Sequence, residues 1–175
     1  MGTRGSNTEA NFLYDFLILV TLSAIAFLIY KFRKKKIIDM GTGIISPRAT
    51  ELYFLLTDQG FYPETAEMIV AQAAHESGNF TSAIYLYQNN PFGMKVAVSR
   101  RSTAVSEARG HAVFESVESA ARDYWLYYQA RQYPPFWKDI DTFVRALKAK
   151  GYFEADVEVY LKAVKSFYKS IFGHA

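Results

Sequence analysis

Hydrophobic and polar positions divide the chain into an apolar run, a cationic run and a long stretch of helical periodicity. Phe12 to Tyr30 is nineteen residues whose only charge is Asp15, followed directly by Lys31, Arg33, Lys34, Lys35 and Lys36. At about 1.5 Å per residue such a helix spans roughly 28 Å, the hydrocarbon thickness of a bilayer. Tyr14 and Tyr30 lie near the two ends, where amphipathic rings favour the interface. A cleavable signal peptide would carry its positive charge before the apolar run and a small-residue cleavage site after it, and neither is present. The pattern therefore predicts a tail over 1–11, one transmembrane helix over 12–30, a basic juxtamembrane linker over 31–45 and a folded domain over 46–175.

Within the domain, Ser46-Pro47 reads as an N-cap and first helical residue, with Leu52, Leu55 and Leu56 on one face and Gly60 as the stop. Pro63 opens a second helix running to about Ser77, ended by Gly78. Residues 79–93 carry Asn, Ser, Pro and Gly and predict a long loop with a turn at Asn90-Pro91. From Met94 to Phe114 the helical period is lost; Val96 and Val98 alternate with smaller or polar neighbours, and Ala112-Val113-Phe114 is a second extended run, which predicts a small hairpin or irregular lobe. Ser116 caps a further helix, and others are expected from about Phe136 to Lys150 and from Asp156 to Ile171, the last with Val157, Tyr160, Leu161, Val164, Phe167, Tyr168 and Ile171 as its stripe. The expected fold class is mainly α with one small β-containing lobe.

Composition narrows the chemistry. Cys is absent, which removes disulfides, thiolate metal sites and cysteine nucleophiles together. The three His are scattered, so no metal site is expected. The formal net charge is +3, but residues 46–175 hold fourteen Lys/Arg against fourteen Asp/Glu, so the excess belongs to residues 31–36. A basic stripe for nucleic acid is not supported, and attraction to lipid headgroups explains the cationic run more simply.

The densest polar anomaly is Ala71-Gln72-Ala73-Ala74-His75-Glu76-Ser77-Gly78. Small residues let a helix pack closely, and a carboxyl at the end of such a helix is disfavoured as an anion by burial and by the helix dipole. Both effects would raise the pKa of Glu76, as a general acid requires. The same residues also describe a solvated Glu beside a glycine C-cap. The aromatic set Tyr85, Tyr87, Tyr124, Trp125, Tyr127, Tyr128, Tyr133, Phe136 and Trp137 is expected mostly in the core, with sugar stacking as its alternative use.

Three segments carry a resemblance: Ala74-His75-Glu76-Ser77-Gly78, Asn89-Asn90-Pro91-Phe92-Gly93-Met94-Lys95, and Phe114-Glu115-Ser116 running to Asp123-Tyr124. With the later Ala146-Leu147 to Gly151-Tyr152 and Tyr160, they resemble, in order and spacing, the N-acetylglucosaminidase family of bacterial autolysins and flagellar muramidases, over roughly residues 48–172. The resemblance implies a lysozyme-like α+β domain that hydrolyses β-1,4 bonds of peptidoglycan glycan strands without a cofactor. It implies Glu76 as general acid and Tyr160 as active-site tyrosine, although Tyr160 stands about two residues further from Gly151-Tyr152 than in the family. It also implies a groove floor shaped by Asn90, Phe92 and Gly93, with Tyr124 beside them. For a second catalytic group, Glu107 in the lobe is the candidate, Glu115 the runner-up, and the acetamido group of the sugar a third possibility. His75 and Pro91 depart from the family pattern, in which both positions are aliphatic.

Together these readings predict a single-pass peptidoglycan hydrolase held to a bilayer through residues 12–36, in a bacterial inner membrane or a phage virion membrane. The alternative is an inactive glycan-binding or structural membrane protein that keeps the fold. The cations after the apolar run place residues 37–175 on the cytoplasmic side, in conflict with a wall substrate. Either the long C-terminal domain overrides the charge bias, or the enzyme belongs to a membrane-containing phage that delivers it to a new host's wall.

Overall fold

A computed structural model describes residues 46–173 and, outside them, Thr21 alone. The predicted membrane span over 12–30 and the linker over 31–45 lie outside the described residues. No helix among those described is long and apolar enough to cross a membrane.

The order of elements is α1 (Pro47–Gln59), α2 (Pro63–Glu76), α3 (Ala83–Gln88), β1 (Ser106–Ala108), β2 (His111–Val113), α4 (Val117–Ala130), α5 (Ile140–Ala149) and α6 (Val157–Phe172). The caps explain most boundaries. Ser46 Oγ accepts from the Ala49 amide, Ser116 Oγ from Ser119 and Asp156 from Glu158 and Val159, each satisfying donors that a first helical turn leaves free. Gly60 ends α1 at φ +106°, in the left-handed region.

Helix α2 is the spine. Every residue from Thr65 to Ala74 is buried, because α1 and α6 both pack against it. Its alanines permit this close approach, and two of its buried polar side chains, Glu67 and Gln72, reach tyrosines on α6 and α4, Tyr168 and Tyr124. Helix α4 packs on α1, and α5 on α6.

The mainly helical expectation and the small β-lobe are both observed, with three changes of detail. The loop expected over 79–93 contains α3, a six-residue helix whose Ser82 N-cap accepts from the Tyr85 amide. The β-ladder pairs Ser106 with Val113, Glu107 with Ala112 and Ala108 with His111, antiparallel, so the first strand is not the Val96–Val98 stretch. That stretch is irregular: Val98 is 99% exposed, while Val96 packs on the Ala112, Phe114 and Ala120 cluster, and one bond, Ala112 N–H to the Met94 carbonyl at 2.8 Å, borders β2 on that side. Alternation there reflects one partly buried valine, not a strand. Finally, α5 starts at Ile140 and not near Phe136. Asp139 is its cap, and the residues before it form a tether, the Trp137 amide donating to Thr65 Oγ1 at 3.1 Å and its indole N–H to the Tyr128 hydroxyl.

The lobe is pinned to α4 by a buried carboxylate. Asp123 accepts from Arg100 Nη2 at 2.6 Å and from the Thr103 amide at 2.8 Å, while Thr103 Oγ1 donates to the Ser119 carbonyl.

Candidate active site

The end of α2 is built to hold its last carboxyl in place. Ser77 Oγ donates to the Ala73 carbonyl at 2.6 Å and accepts from the Phe80 amide at 2.9 Å. Gly78, Asn79 and Phe80 follow with φ of +56°, +56° and +61°, three successive left-handed residues that turn the chain off the helix axis. For Asn79 and Phe80 this conformation is unfavourable, on the order of 1 kcal/mol each. The Ser77 bonds and the buried Phe80 ring hold it.

Glu76 is thus left half-buried at the helix terminus. Tyr160, from the first turn of α6, donates its hydroxyl to Glu76 Oε1 at 2.5 Å, across 84 positions of sequence. Burial is the main influence on the carboxyl and raises its pKa; the Tyr160 bond and the charge of His75 partly offset it by favouring the anion. Tyr160 itself is pushed far above the ordinary tyrosine value by burial and by the adjacent carboxylate, so it stays a neutral donor.

The Tyr160 ring is fixed on two sides. Phe153 lies parallel to it with centroids 3.7 Å apart, and His75 meets it edge-on at 4.8 Å. Phe153 belongs to the connection between α5 and α6, which Lys148 Nζ gathers by donating to the Glu154 and Ala155 carbonyls at 2.8 Å each. The neighbouring Tyr152 hydroxyl donates to the Phe92 carbonyl at 3.1 Å, tying this connection to the Asn90–Gly93 turn.

That turn is organised from within. Asn90 is buried and donates to the Met94 and Ala112 carbonyls at 2.8 and 2.9 Å while accepting from the Met94 amide at 3.0 Å. Its side chain therefore joins the turn to β2. Phe92 is buried and stacks on Tyr124 at 4.2 Å. Tyr124 is buried and donates to Gln72 Oε1 at 2.7 Å. Gly93 adopts φ +61°, with its carbonyl 2.9 Å from His111 Nδ1.

Sequence-predicted residues thus fall into two groups. Glu76 and Tyr160 meet directly; Asn90, Phe92, Gly93 and Tyr124 form a connected layer that reaches Tyr152, next in the chain to the Phe153 stacked on Tyr160, and Gln72, one turn before Glu76. Glu107 stands apart: it is exposed on β1, paired with Ala112, and its side chain makes no hydrogen bond or ion pair among the described residues. Glu115 is exposed immediately before the Ser116 cap of α4, and its carbonyl accepts from Asn89 Nδ2 at 3.2 Å. Sequence reasoning passed over Gln72 and Phe153. A signal for the first existed, since a residue four before Glu76 shares its helix face; nothing local marks Phe153.

No group of three or more His, Asp or Glu among the described residues could hold a metal ion. What the arrangement offers chemically is a carboxyl whose neutral form is favoured by burial, beside a tyrosine that donates to it.

Comparison with solved structures finds a likeness to a chain of a type VI secretion system effector–immunity complex from Pseudomonas protegens. Identity is 18%, the match covers 73% of this chain and 90% of that one, and the TM-score is 0.56, a likeness of fold. No curated protein matches the chain. Residues 60–172, well over half of the chain, match the family model named Glucosaminidase and described as mannosyl-glycoprotein endo-beta-N-acetylglucosaminidase. Glu76, Tyr160 and the layer beneath them all lie inside that match, and the chain belongs to the glucosaminidase family of glycoside hydrolases.

Proposed function

We propose that the domain hydrolyses β-1,4 glycosidic bonds of peptidoglycan glycan strands, with Glu76 as the general acid. The observation that carries this reading is the Glu76 carboxyl itself: half-buried, pushed up in pKa mainly by burial, and held at one oxygen by Tyr160. Its proton passes to the glycosidic oxygen as the bond breaks, and the sugar ring acquires oxocarbenium character. Water then completes hydrolysis. Glu107 is the group assigned to activate that water, carried by a lobe that Asp123 pins to α4. The Asn90–Gly93 turn and Tyr124 underlie the groove that receives the strand. The peptidoglycan substrate rests on the resemblance of the three motifs and on the family match.

The reading extends to the membrane. Residues 12–36 anchor the enzyme, and the cations of residues 31–36 favour a cytoplasmic domain. A virion of a membrane-containing phage reconciles that orientation with a wall substrate, because the domain meets the wall only on delivery. A domain cleaved by protease in the periplasm of uninfected producing cells would refute this placement.

The test of the activity is turbidity loss and muropeptide release from purified peptidoglycan by the full chain and by Glu76→Gln. Loss of a general acid is expected to slow hydrolysis by about 10² to 10⁴. The new ends of the products would identify the bond cut. A folded wild-type chain inactive between about pH 5 and 8 would instead mark a glycan-binding protein that retained the fold.

A further inference from the structure

Tyr160 stands in the first turn of α6, and a helical side chain leans back toward the start of its helix. Its ring therefore lies over the residues that lead into α6. Phe153, three positions before the Asp156 cap, meets it there, the two rings 5° from parallel with centroids 3.7 Å apart. His75 closes on the same ring from α2, edge-on at 4.8 Å. With one face covered and one side blocked, the ring has little room to swing. Its hydroxyl is aimed at Glu76 Oε1, 2.5 Å away.

Two rings left to themselves do not stack this way. The face of an aromatic ring is negative, so pairs prefer an offset or edge-on arrangement with centroids about 4.5 to 7 Å apart. Close overlap at 3.7 Å has to be held from outside, and Lys148 holds it in two ways. Its ammonium donates to the Glu154 and Ala155 carbonyls at 2.8 Å each, drawing together the backbone that carries Phe153. The same nitrogen lies over the Phe153 ring, 5.4 Å from its centre. Tyr160 fills one face of that ring and leaves the other to the cation, which draws π density away from the face that meets Tyr160. On the other side of Phe153, the Tyr152 hydroxyl fastens the connection to the Phe92 carbonyl at 3.1 Å.

We propose that Phe153 is a positioning residue for the acid: backed by Lys148, it fixes the plane of the Tyr160 ring, keeps the Tyr160 O–H on Glu76 Oε1, and so holds the carboxyl in one orientation. The inference rests on Glu76 being the general acid, but the hold on Tyr160 can be read without any substrate. It gives the connection between α5 and α6 a part in catalysis although none of its side chains bonds to the carboxyl.

The experiment is a carbon-13 NMR titration of the Glu76 carboxyl in the full chain, with hydrolysis followed in parallel. The titratable groups facing Glu76 are His75 on its own helix, Tyr160 from α6 and Tyr152 from the α5–α6 connection. All three are retained in the informative variants. Phe153→Leu keeps an apolar side chain but removes the ring, Phe153→Tyr keeps the ring, and Tyr160→Phe is the reference for complete loss of the donated bond. A donor to a carboxylate favours the anion, so a loosened Tyr160 raises the Glu76 midpoint. Phe153→Leu is expected to raise it in the same direction as Tyr160→Phe, by on the order of half a pH unit, and Phe153→Tyr to leave it at the wild-type value. The high-pH limb of the kcat/KM profile should move with the midpoint, kcat falling more than KM changes. A merely structural role would lower stability and scale the whole profile without moving its limb. Lys148→Met tests the backing, and carries the test should Phe153→Leu not fold. Because it also removes a charge, it is read at 0.1 and 1 M salt: a distant charge is screened at 1 M, where the Debye length is about 3 Å, while a loosened hydrogen bond shifts the midpoint at both. A folded Phe153→Leu chain with the wild-type midpoint, while Tyr160→Phe shifts, would overturn the proposal, as would a shift in Phe153→Tyr equal to that in Phe153→Leu. A Lys148→Met shift that disappears at 1 M would overturn the backing by Lys148. Shifted midpoints in a chain whose Glu76→Gln variant still cleaves peptidoglycan would uphold the grip on Tyr160 and refute Glu76 as the acid.

Discussion

The Glu76 carboxyl sits at the negative end of α2 and largely out of water, so burial and the helix dipole both favour its neutral form. A carboxyl whose folded pKa is raised binds its proton more tightly in the folded chain than in the unfolded one. Stability then falls as pH rises from the unfolded pKa through the folded one, and above that window the fold carries an ill-placed charge. Gln in this position keeps an acceptor for the Tyr160 hydroxyl and never ionises. Glu76→Gln is therefore expected to melt slightly higher than wild type at neutral pH, by about one or two degrees, with the gain vanishing below about pH 4. Thermal melts monitored by circular dichroism across that range check it; a variant that melts lower than wild type at pH 7 would show that the anion is well accommodated. Such a gain beside lost activity is the exchange expected where a site is strained for function. At this scale the sequence was informative where chemistry is local. Glu76 stands out because alanines, a serine and a glycine surround it. Tyr160 reads by itself as one more aromatic on the apolar stripe of α6, and only resemblance singles it out. The bond between the two spans 84 positions, a pairing that no spacing encodes.

Among the elements, those announced by their own ends were legible. Pro47, Pro63, Ser116 and Asp156 each supply a start that depends on a residue and its next three neighbours, and α1, α2, α4 and α6 begin there. Elements that depend on a distant partner were not. Strand β1 is three mostly exposed residues that exist because β2 pairs with them, and α3 is too short to show a period. Phe136–Lys138 extends the apolar pattern of α5 but is drawn off to Thr65 and Tyr128. Asn90 shows the same dependence from the other side. In sequence it marks a turn; in the fold it replaces a missing strand by bonding both backbone groups of Met94 and the Ala112 carbonyl. Asn90→Ala strands the buried Met94 amide and removes a donor from two carbonyls, which should destabilise the domain by about 2 to 3 kcal/mol. Urea unfolding measures this directly. A loss under 0.5 kcal/mol, of the order seen at surface sites, would mean that water takes over the bonds and that the turn is not held by this side chain.

For the whole molecule, charge and apolarity are divided between regions. Residues 46–175 are neutral, and the five cations at residues 31–36 directly follow the apolar run of residues 12–30. The proposed membrane attachment can use either segment, and salt separates the two modes. Cations near an anionic surface contribute about 1 kcal/mol each and are screened within a Debye length of about 3 Å at 1 M salt. Insertion of a nineteen-residue apolar run depends on removing it from water, and salt does not weaken that. If residues 12–30 insert, the full chain should sediment with anionic vesicles at 0.1 M and at 1 M salt alike, and a chain beginning at residue 46 should stay in the supernatant at both. Release of the full chain by 1 M salt would instead assign attachment to residues 31–36 and leave the apolar run outside the bilayer. Activity adds an independent control. Because the domain has no excess charge to lose, hydrolysis of peptidoglycan fragments should change less than about threefold between the two salts, so that release from vesicles and loss of catalysis cannot be mistaken for one another.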